Sequence, residues 1–203
     1  MGLKRVKSFG VLTNLVFAAW LIDAARKWHL IGGFLRAGGR VLEVGAGLGS
    51  VSAVLRQRGV EVVSLDVEEA IFGERAAFTL YDGRRMPFLT ATFDAALLLT
   101  VLHHCYDPEA VLREALRVAR RVIVLEDIYV RVWQRRLTHF VDSLVNLQFV
   151  GHPHNNRAHE SWLALFGKLN APLIHSSQRR FFWAFRQALY VLESPCIGSI
   201  VGP

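Results

Sequence analysis

The sequence predicts an α/β domain built on a mostly parallel sheet, with helices covering both faces. From residue 40 onward, short runs of aliphatic and β-branched residues alternate with amphipathic stretches. Apolar runs without polar alternation are typical of strands buried on both faces, and alternation with helices indicates parallel pairing. At 203 residues, the chain is long enough for one such domain and a short appendage.

The element boundaries follow from local signals. Gly59 is a C-cap signal for the helix before it, and Pro108 favours the first turn of another helix. The predicted strands cover residues 41–44, 60–65, 95–99, 122–125, 173–175 and 187–192. The predicted helices cover residues 50–58, 108–119, 132–149 and 161–169. We interpret the last two strands as an antiparallel pair.

Composition narrows the class of protein. A hydrophobic fraction of 52% excludes a disordered chain. The 24 basic residues exceed the 17 acidic ones, and the resulting charge of +7 suits an anionic ligand, an acidic lipid surface or nucleic acid. Two cysteines, Cys105 and Cys196, form no disulfide framework, which favours a reducing cytoplasm.

The amino terminus is a separate segment. Basic residues precede an apolar stretch over 9–22, which is closed by Asp23 and is too short for a membrane span. We predict a helical segment over 1–36 that packs ahead of a main domain over 37–203. A lid over an apolar pocket, or a helix lying on a membrane surface, are the alternatives.

A glycine-rich turn follows the first strand, with the sequence Gly45-Ala46-Gly47-Leu48-Gly49. Glycines permit a sharp turn and a close approach of a ligand to the main chain. The helix after them offers free N–H groups, and Asp66 at the end of the next strand can accept hydrogen bonds from ribose hydroxyls. The spacing is GxGxG rather than the GxGxxG of dinucleotide enzymes.

Further landmarks follow in a fixed order. They are Tyr81-Asp82-Gly83, Phe93-Asp94 at a strand entry, Leu102-His103-His104, and Asp107-Pro108-Glu109. With these landmarks the sequence resembles the class I S-adenosylmethionine-dependent methyltransferases, particularly the group that includes ubiquinone and menaquinone methyltransferases. The resemblance runs from about residue 40 to residue 127 and implies a Rossmann-like, seven-stranded fold. We interpret Asp94 as structural.

The resemblance also implies a pocket for S-adenosylmethionine. The methionine part would contact Glu43, Gly45, Ala46, Gly47 and Gly49. The ribose would contact Asp66, and the adenine would contact Val67, Asp82 and Gly83. The sulfonium would be bordered by Leu98, Leu99 and Thr100. Two departures stand out. Arg120-Arg121 replaces a Pro-Gly-Gly turn and puts the geometry near Glu126 in question, and Asn170 replaces a glycine that ends a helix.

Candidate bases follow the predicted strands. His104, Glu126 and Asp127 are polar groups at strand ends facing the pocket, and a base is needed if the acceptor is a hydroxyl, a protonated amine or a carbon acid. His103 is a candidate substrate contact. The alternative for both histidines is a hydrogen bond that caps the following turn.

Two polar stretches occur late in the chain. In residues 151–160 we predict a substrate-contacting loop, with His154 and Arg157 as contacts, and no metal site; a polar helix entry is the alternative. Residues 179–186 mix basic and aromatic side chains, which could stack on bases or hold phosphates. We favour packing of the aromatics in the core.

The sequence therefore predicts a cytoplasmic methyltransferase that uses S-adenosylmethionine and acts on a small or lipid-like acceptor. Contact with a membrane surface through the N-terminal segment is one part of this hypothesis. A nucleic-acid methyltransferase is the alternative enzyme, although residues 98–101 lack the Pro-Pro motif of those that methylate amines. A cofactor-binding scaffold without catalysis also stays open. The glycine spacing disfavours a nicotinamide-dependent oxidoreductase.

Overall fold

The computed structural model describes residues 11–69, 77–129, 157–181 and 185–195. Its strands are β1 (Arg40–Val44), β2 (Glu61–Asp66), β3 (Phe78–Leu80), β4 (Phe93–Leu99), β5 (Ala119–Ile128), β6 (Leu173–Phe181) and β7 (Phe185–Glu193). Its helices are α1 (Val11–Ile31), α2 (Ser50–Gln57), α3 (Pro108–Val118) and α4 (His159–Lys168). Two 3₁₀ turns, Gly32–Phe34 and Leu102–His104, follow α1 and β4.

The seven strands form one sheet in the order β3-β2-β1-β4-β5-β7-β6. Strands β1 to β5 pair in parallel, and β7 pairs antiparallel with both β5 and β6. The prediction of a mostly parallel, seven-stranded Rossmann-like sheet whose last two strands are antiparallel is confirmed. From β1 the chain adds β2 and β3 on one side, and it then returns to add β4 and β5 on the other side of β1. Ligand-binding crevices form at the point where the strand order reverses in this way.

Each face of the sheet carries its own apolar layer. On one face, Val41, Leu97 and Ile123 pack with Ala24 and Ile31 of α1 and with residues of α2. The opposite layer holds residues from α3 and α4, and Trp162 of α4 is fully buried there. The strands are therefore covered on both sides, which accounts for their uninterrupted apolar sequences.

The N-terminal helix differs from the predicted apolar stretch. α1 continues past Asp23 to Ile31, and its buried positions include Ala24, Lys27 and Ile31 near its end. Ile22, inside the apolar stretch, is 73% exposed. The helix is thus anchored by its C-terminal half. No helix within the described ranges is long and apolar enough to cross a membrane.

Three predictions of elements differ from the structure. The strand predicted over 173–175 is too short, because β6 continues to Phe181. β3 was missed, because it has only three residues and lies at an edge of the sheet. β5 starts at Ala119 directly after α3 and runs to Ile128, so Arg120 and Arg121 are strand residues and the geometry near Glu126 is regular. The predicted helix over 132–149 lies outside the described residues.

Two local predictions are confirmed. Asn170 adopts a φ of 50° after α4, in the left-handed region that asparagine tolerates. Asp94 accepts a hydrogen bond from the backbone N–H of Arg40 at 2.9 Å, so it ties the start of β4 to the start of β1.

Candidate functional site

The turn between β1 and α2 requires glycine. Gly45, Gly47 and Gly49 have left-handed φ angles of 73°, 51° and 77°, which other residues adopt only at a cost. A Cβ atom on Gly45 would overlap the side chain of Val101, whereas a Cβ atom on Gly47 would meet nothing within 4 Å. The turn therefore packs closely against the residue that follows β4 and leaves open space beside Gly47.

The same turn is bonded to the end of β2. The N–H groups of Gly45 and Ala46 both donate to the carbonyl oxygen of Leu65, at 2.8 and 3.2 Å. One carboxylate oxygen of Asp66 accepts from the N–H of Gly47 at 2.7 Å, and the other accepts from the N–H of Val67 at 2.6 Å. A carboxylate has about four acceptor positions, so Asp66 can also bind a hydroxyl group while it holds the turn.

A second loop lies next to the end of β2. Gly83 has a φ of 75°, and a Cβ atom on it would lie 3.2 Å from Cγ1 of Val67. Asp82 accepts from the N–H groups of Arg84 and Arg85 at 2.9 and 3.1 Å, and these bonds hold the pKa of its carboxyl below the usual range. The predicted adenine contacts Val67, Asp82 and Gly83 are therefore close together at the carboxyl ends of β2 and β3.

The end of β4 continues this edge. Leu98 and Leu99 are buried, and Thr100 after them has a φ of 60°. The N–H of Thr100 donates to the carbonyl of Leu125 at 2.6 Å. Its hydroxyl accepts from Nζ of Lys27 at 3.1 Å. The turn after β4 is thus held by β5 on one side and by α1 on the other.

The sequence analysis missed Lys27. Its side chain is buried, and Nζ lies 3.1 Å from a carboxylate oxygen of Asp23. A signal was available, because Ala24, Lys27 and Ile31 are spaced by three and four residues and so share one face of α1. A lysine on the packed face of a helix is costly to bury without a partner, and this one brings a positive charge next to the end of β4.

The order of these features, from the glycine turn to the helix after β4, is also found in known proteins. A family model described as "Methyltransferase domain" matches residues 42–122. A demethylmenaquinone methyltransferase of Beutenbergia cavernae is 36% identical over 124 residues, which are 57% of this chain and 52% of the relative. Over residues 42–122 the chain is therefore similar to methyltransferases.

Two further methyltransferases are similar to this chain, one in sequence and one in fold. A ubiquinone biosynthesis O-methyltransferase of Pseudomonas fluorescens is 30% identical over 95 residues, 41% of each chain. The magnesium protoporphyrin IX methyltransferase of Synechocystis, solved with bound SAH, has the same fold at a TM-score of 0.63 and 15% identity, over 94% of this chain and 90% of that one. The chain spans about half the length, or less, of the curated relatives it matches.

Glu126, on β5, lies in the interior. It is fully buried, and one of its carboxylate oxygens accepts from the N–H groups of Val101 and Leu102 at 3.0 and 2.7 Å. The other lies 2.6 Å from Nδ1 of His103, which is also buried. Glu126 was predicted as a base and His103 as a substrate contact, yet the structure uses both to hold the turn after β4.

The two other candidate bases are less enclosed. His104 is half-buried, and its ring lies on that of His103 with centroids 4.0 Å apart. Asp127 accepts from Nε2 of Gln187 at 2.9 Å, and burial raises the pKa of its carboxyl. Of the three predicted bases, Glu126 and Asp127 each accept side-chain or backbone hydrogen bonds, and His104 lies against His103.

The late polar stretch is only partly described. His154 lies outside the described residues. Arg157 is half-buried, and its guanidinium lies 5.3 Å from the ring centroid of Trp162, while Nδ1 of His159 lies 2.8 Å from the hydroxyl of Tyr190. Within the described part of the chain, no group of three potential ligands is placed to hold a metal ion.

Glu43 is a buried acid beside the glycine turn. Its carboxylate accepts from the hydroxyl of Ser52 on α2, and that hydroxyl lies 2.6 Å from the one of Ser64 on β2. Burial raises the pKa of Glu43 to about 7, and the bond from Ser52 and the charge of Lys27 oppose this rise. Folding therefore stabilises the protonated form of the Glu43 carboxyl relative to the ionised form.

We expect Glu43→Gln to change how stability depends on pH. The folded protein binds this proton more tightly than the unfolded chain between pH 4.5 and about 7, so the wild type loses free energy of unfolding as pH rises through this window, by about 2–3 kcal/mol from this group. Glutamine stays neutral, and the variant should lack that loss when urea unfolding is measured between pH 5 and 8.

The exposed substitution Glu193→Gln is the matched control, since it removes one charge from the surface of β7. It should leave the wild-type slope of stability against pH unchanged. Equal slopes for wild type and Glu43→Gln would contradict the raised pKa.

Proposed function

We propose that this chain transfers the methyl group of S-adenosylmethionine to a small, apolar or lipid-like acceptor. The observation that carries the proposal is the joint placement of the glycine turn, Asp66 and Asp82 along the carboxyl ends of β1, β2 and β3. This is the edge where α/β sheets bind ligands. The whole protein's activity is inferred, because the relatives are matched over only part of their length.

The residues at this edge fit the cofactor. The open space beside Gly47 is a cradle that a Cβ atom would narrow. Asp66 accepts from the N–H groups of Gly47, Val67 and Glu68, so about one of its four acceptor positions is left for a ribose hydroxyl. Val67 is half exposed, at 52%, and offers an apolar surface to a purine ring. When bound, S-adenosylmethionine supplies an electrophilic methyl group.

The chain's own contribution is alignment. Positioning of reactants accounts for as much as about 7–11 kcal/mol of a barrier when the geometry is near-attack. Glu126 holds the N–H groups of Val101 and Leu102, and Lys27 and β5 hold Thr100. These bonds fix the loop that would border the reacting carbon.

We infer that α1 forms one wall of the acceptor site and that the acceptor is an aromatic lipid or its precursor. Lys27 brings the helix to the end of β4, and α1 also carries the exposed apolar residue Ile22. The names of the curated relatives, a demethylmenaquinone methyltransferase and a ubiquinone biosynthesis O-methyltransferase, support the same class of acceptor.

Calorimetric titration tests use of this cofactor. S-adenosylmethionine and S-adenosylhomocysteine should bind saturably, and NAD should not. Asp66→Asn removes a charged acceptor and should weaken binding of both sulfur compounds about tenfold or more.

Asp107→Asn is the control for that titration. Asp107 is the N-cap of α3, where its carboxylate accepts from the N–H of Ala110 at 2.9 Å, and asparagine caps a helix about equally well. This variant should bind the cofactor like wild type. Binding of NAD alone, or equal affinities for Asp66→Asn and wild type, would refute the proposed site.

His104 is the proposed base for an acceptor that must lose a proton. His104→Gln should lower kcat by about 10²- to 10⁴-fold and abolish the rise in rate near neutral pH. Cofactor affinity should not change. His29→Gln, at an exposed position on α1, is the control and should keep the wild-type pH profile.

A kcat within twofold of wild type for His104→Gln would assign the proton to solvent or to another group.

A further inference from the structure

A second concave surface lies away from the glycine turn, between α1 and the two antiparallel strands. It is a cavity of about 190 Å³. The residues that line it are Arg26, Leu30, Leu125, Ser177, Arg179, Arg180, Gln187 and Leu189. Three of the eight are arginines and none is acidic, so the cavity is strongly positive at one end.

Arg26 is held in place from two sides. Its Nη1 donates to Oε1 of Gln187 at 2.8 Å, and its Nε donates to Asp23 at 3.0 Å. Gln187 in turn donates from Nε2 to Asp127. A guanidinium has five N–H donors in a fixed plane, and this arrangement orients Arg26 before any ligand arrives.

The arginines of β6 lack such compensation. Arg179 and Arg180 are both exposed, and no described carboxylate forms an ion pair with either of them. Arg180 also lies directly opposite Arg186 in the register of β6 and β7. Like charges at opposed positions destabilise a sheet, so a bound anion would relieve a cost that the described residues leave in place.

The rest of the lining consists of three leucines, the amide of Gln187 and one hydroxyl. Leu30 comes from α1, Leu125 from β5 and Leu189 from β7, and Leu125 and Leu189 are buried. Ser177 on β6 is half-buried and adds a hydroxyl group. The wall therefore suits a ligand with a charged group at one end and a few carbon atoms at the other.

We propose that this cavity binds the anionic group of a small amphipathic molecule, a phosphate or a carboxylate, through Arg26, Arg179 and Arg180. Guanidinium groups bind both anions in a bidentate manner. The three leucines bind its apolar part. The proposal concerns binding only, and it stands or falls independently of methyl transfer.

Calorimetric titration of the full chain tests it with phenyl phosphate, inorganic phosphate and uncharged benzyl alcohol. Phenyl phosphate should bind saturably and more tightly than inorganic phosphate, and benzyl alcohol should not bind. Arg179→Gln/Arg180→Gln should weaken phenyl phosphate binding at least tenfold. Far-ultraviolet circular dichroism and the midpoint of urea unfolding should be the same for this variant and wild type, which shows that the variant is folded.

The control Arg36→Gln/Arg113→Gln removes the same charge from side chains that are 81% and 63% exposed elsewhere. It should bind phenyl phosphate like wild type.

Phosphatidylglycerol vesicles test whether the anion belongs to a lipid. If the vesicles bind wild type but not Arg179→Gln/Arg180→Gln, and phenyl phosphate does not bind wild type, the cavity is assigned to a lipid headgroup.

The proposal is overturned if neither phenyl phosphate nor the vesicles bind wild type, or if both double variants weaken binding equally. The second result would indicate attraction by net charge rather than a site.

Discussion

The structure depends on carboxylates that hold the backbone turns of neighbouring strands. Asp66, at the end of β2, binds the N–H of Gly47 in the turn after β1. Glu126, on β5, binds the N–H groups of Val101 and Leu102 in the turn after β4. The two turns meet where Gly45 packs against Val101, and a side chain at position 45 would overlap that of Val101. Four adjacent strand ends are thereby fixed into one edge, and the open space beside Gly47 is what remains for a ligand.

The positions of most strands could be predicted because each is a short apolar run bounded by turn residues. The glycine turn and Asp66 were also predictable, since local spacing along the chain encodes them. The contact of Lys27 with Thr100 spans 73 residues, and that of Gln187 with Asp127 spans 60. No local pattern reports such pairs. Glu126 was recognised as a polar group near a strand end, but its role depends on partners 23 to 25 residues away.

Two basic residues of α1 have different structural roles. On α1, Lys27 and Arg26 are adjacent residues with different tasks: Lys27 reaches the end of β4, and Arg26 reaches Gln187 on β7. Both share Asp23 as a partner, and both side chains lie on the covered side of the helix. One short helical segment therefore links the proposed cofactor edge with the cavity beside β6. The charge of +7 has at least these two specific uses, which makes an anionic small molecule a simpler explanation of the arginines beside β6 than nucleic acid.

The central claim is that methyl groups from S-adenosylmethionine pass to an apolar acceptor at the edge formed by β1, β2 and β4. The most direct measurement is transfer of tritiated methyl from this cofactor into demethylmenaquinone in detergent micelles, into a total lipid extract and into RNA. The account predicts label in one or both lipid fractions with wild type and with Asp107→Asn, and about tenfold less with Asp66→Asn when the cofactor is below its wild-type Kd. Label in RNA alone, or no transfer to any of the three by protein that binds the cofactor, would contradict it.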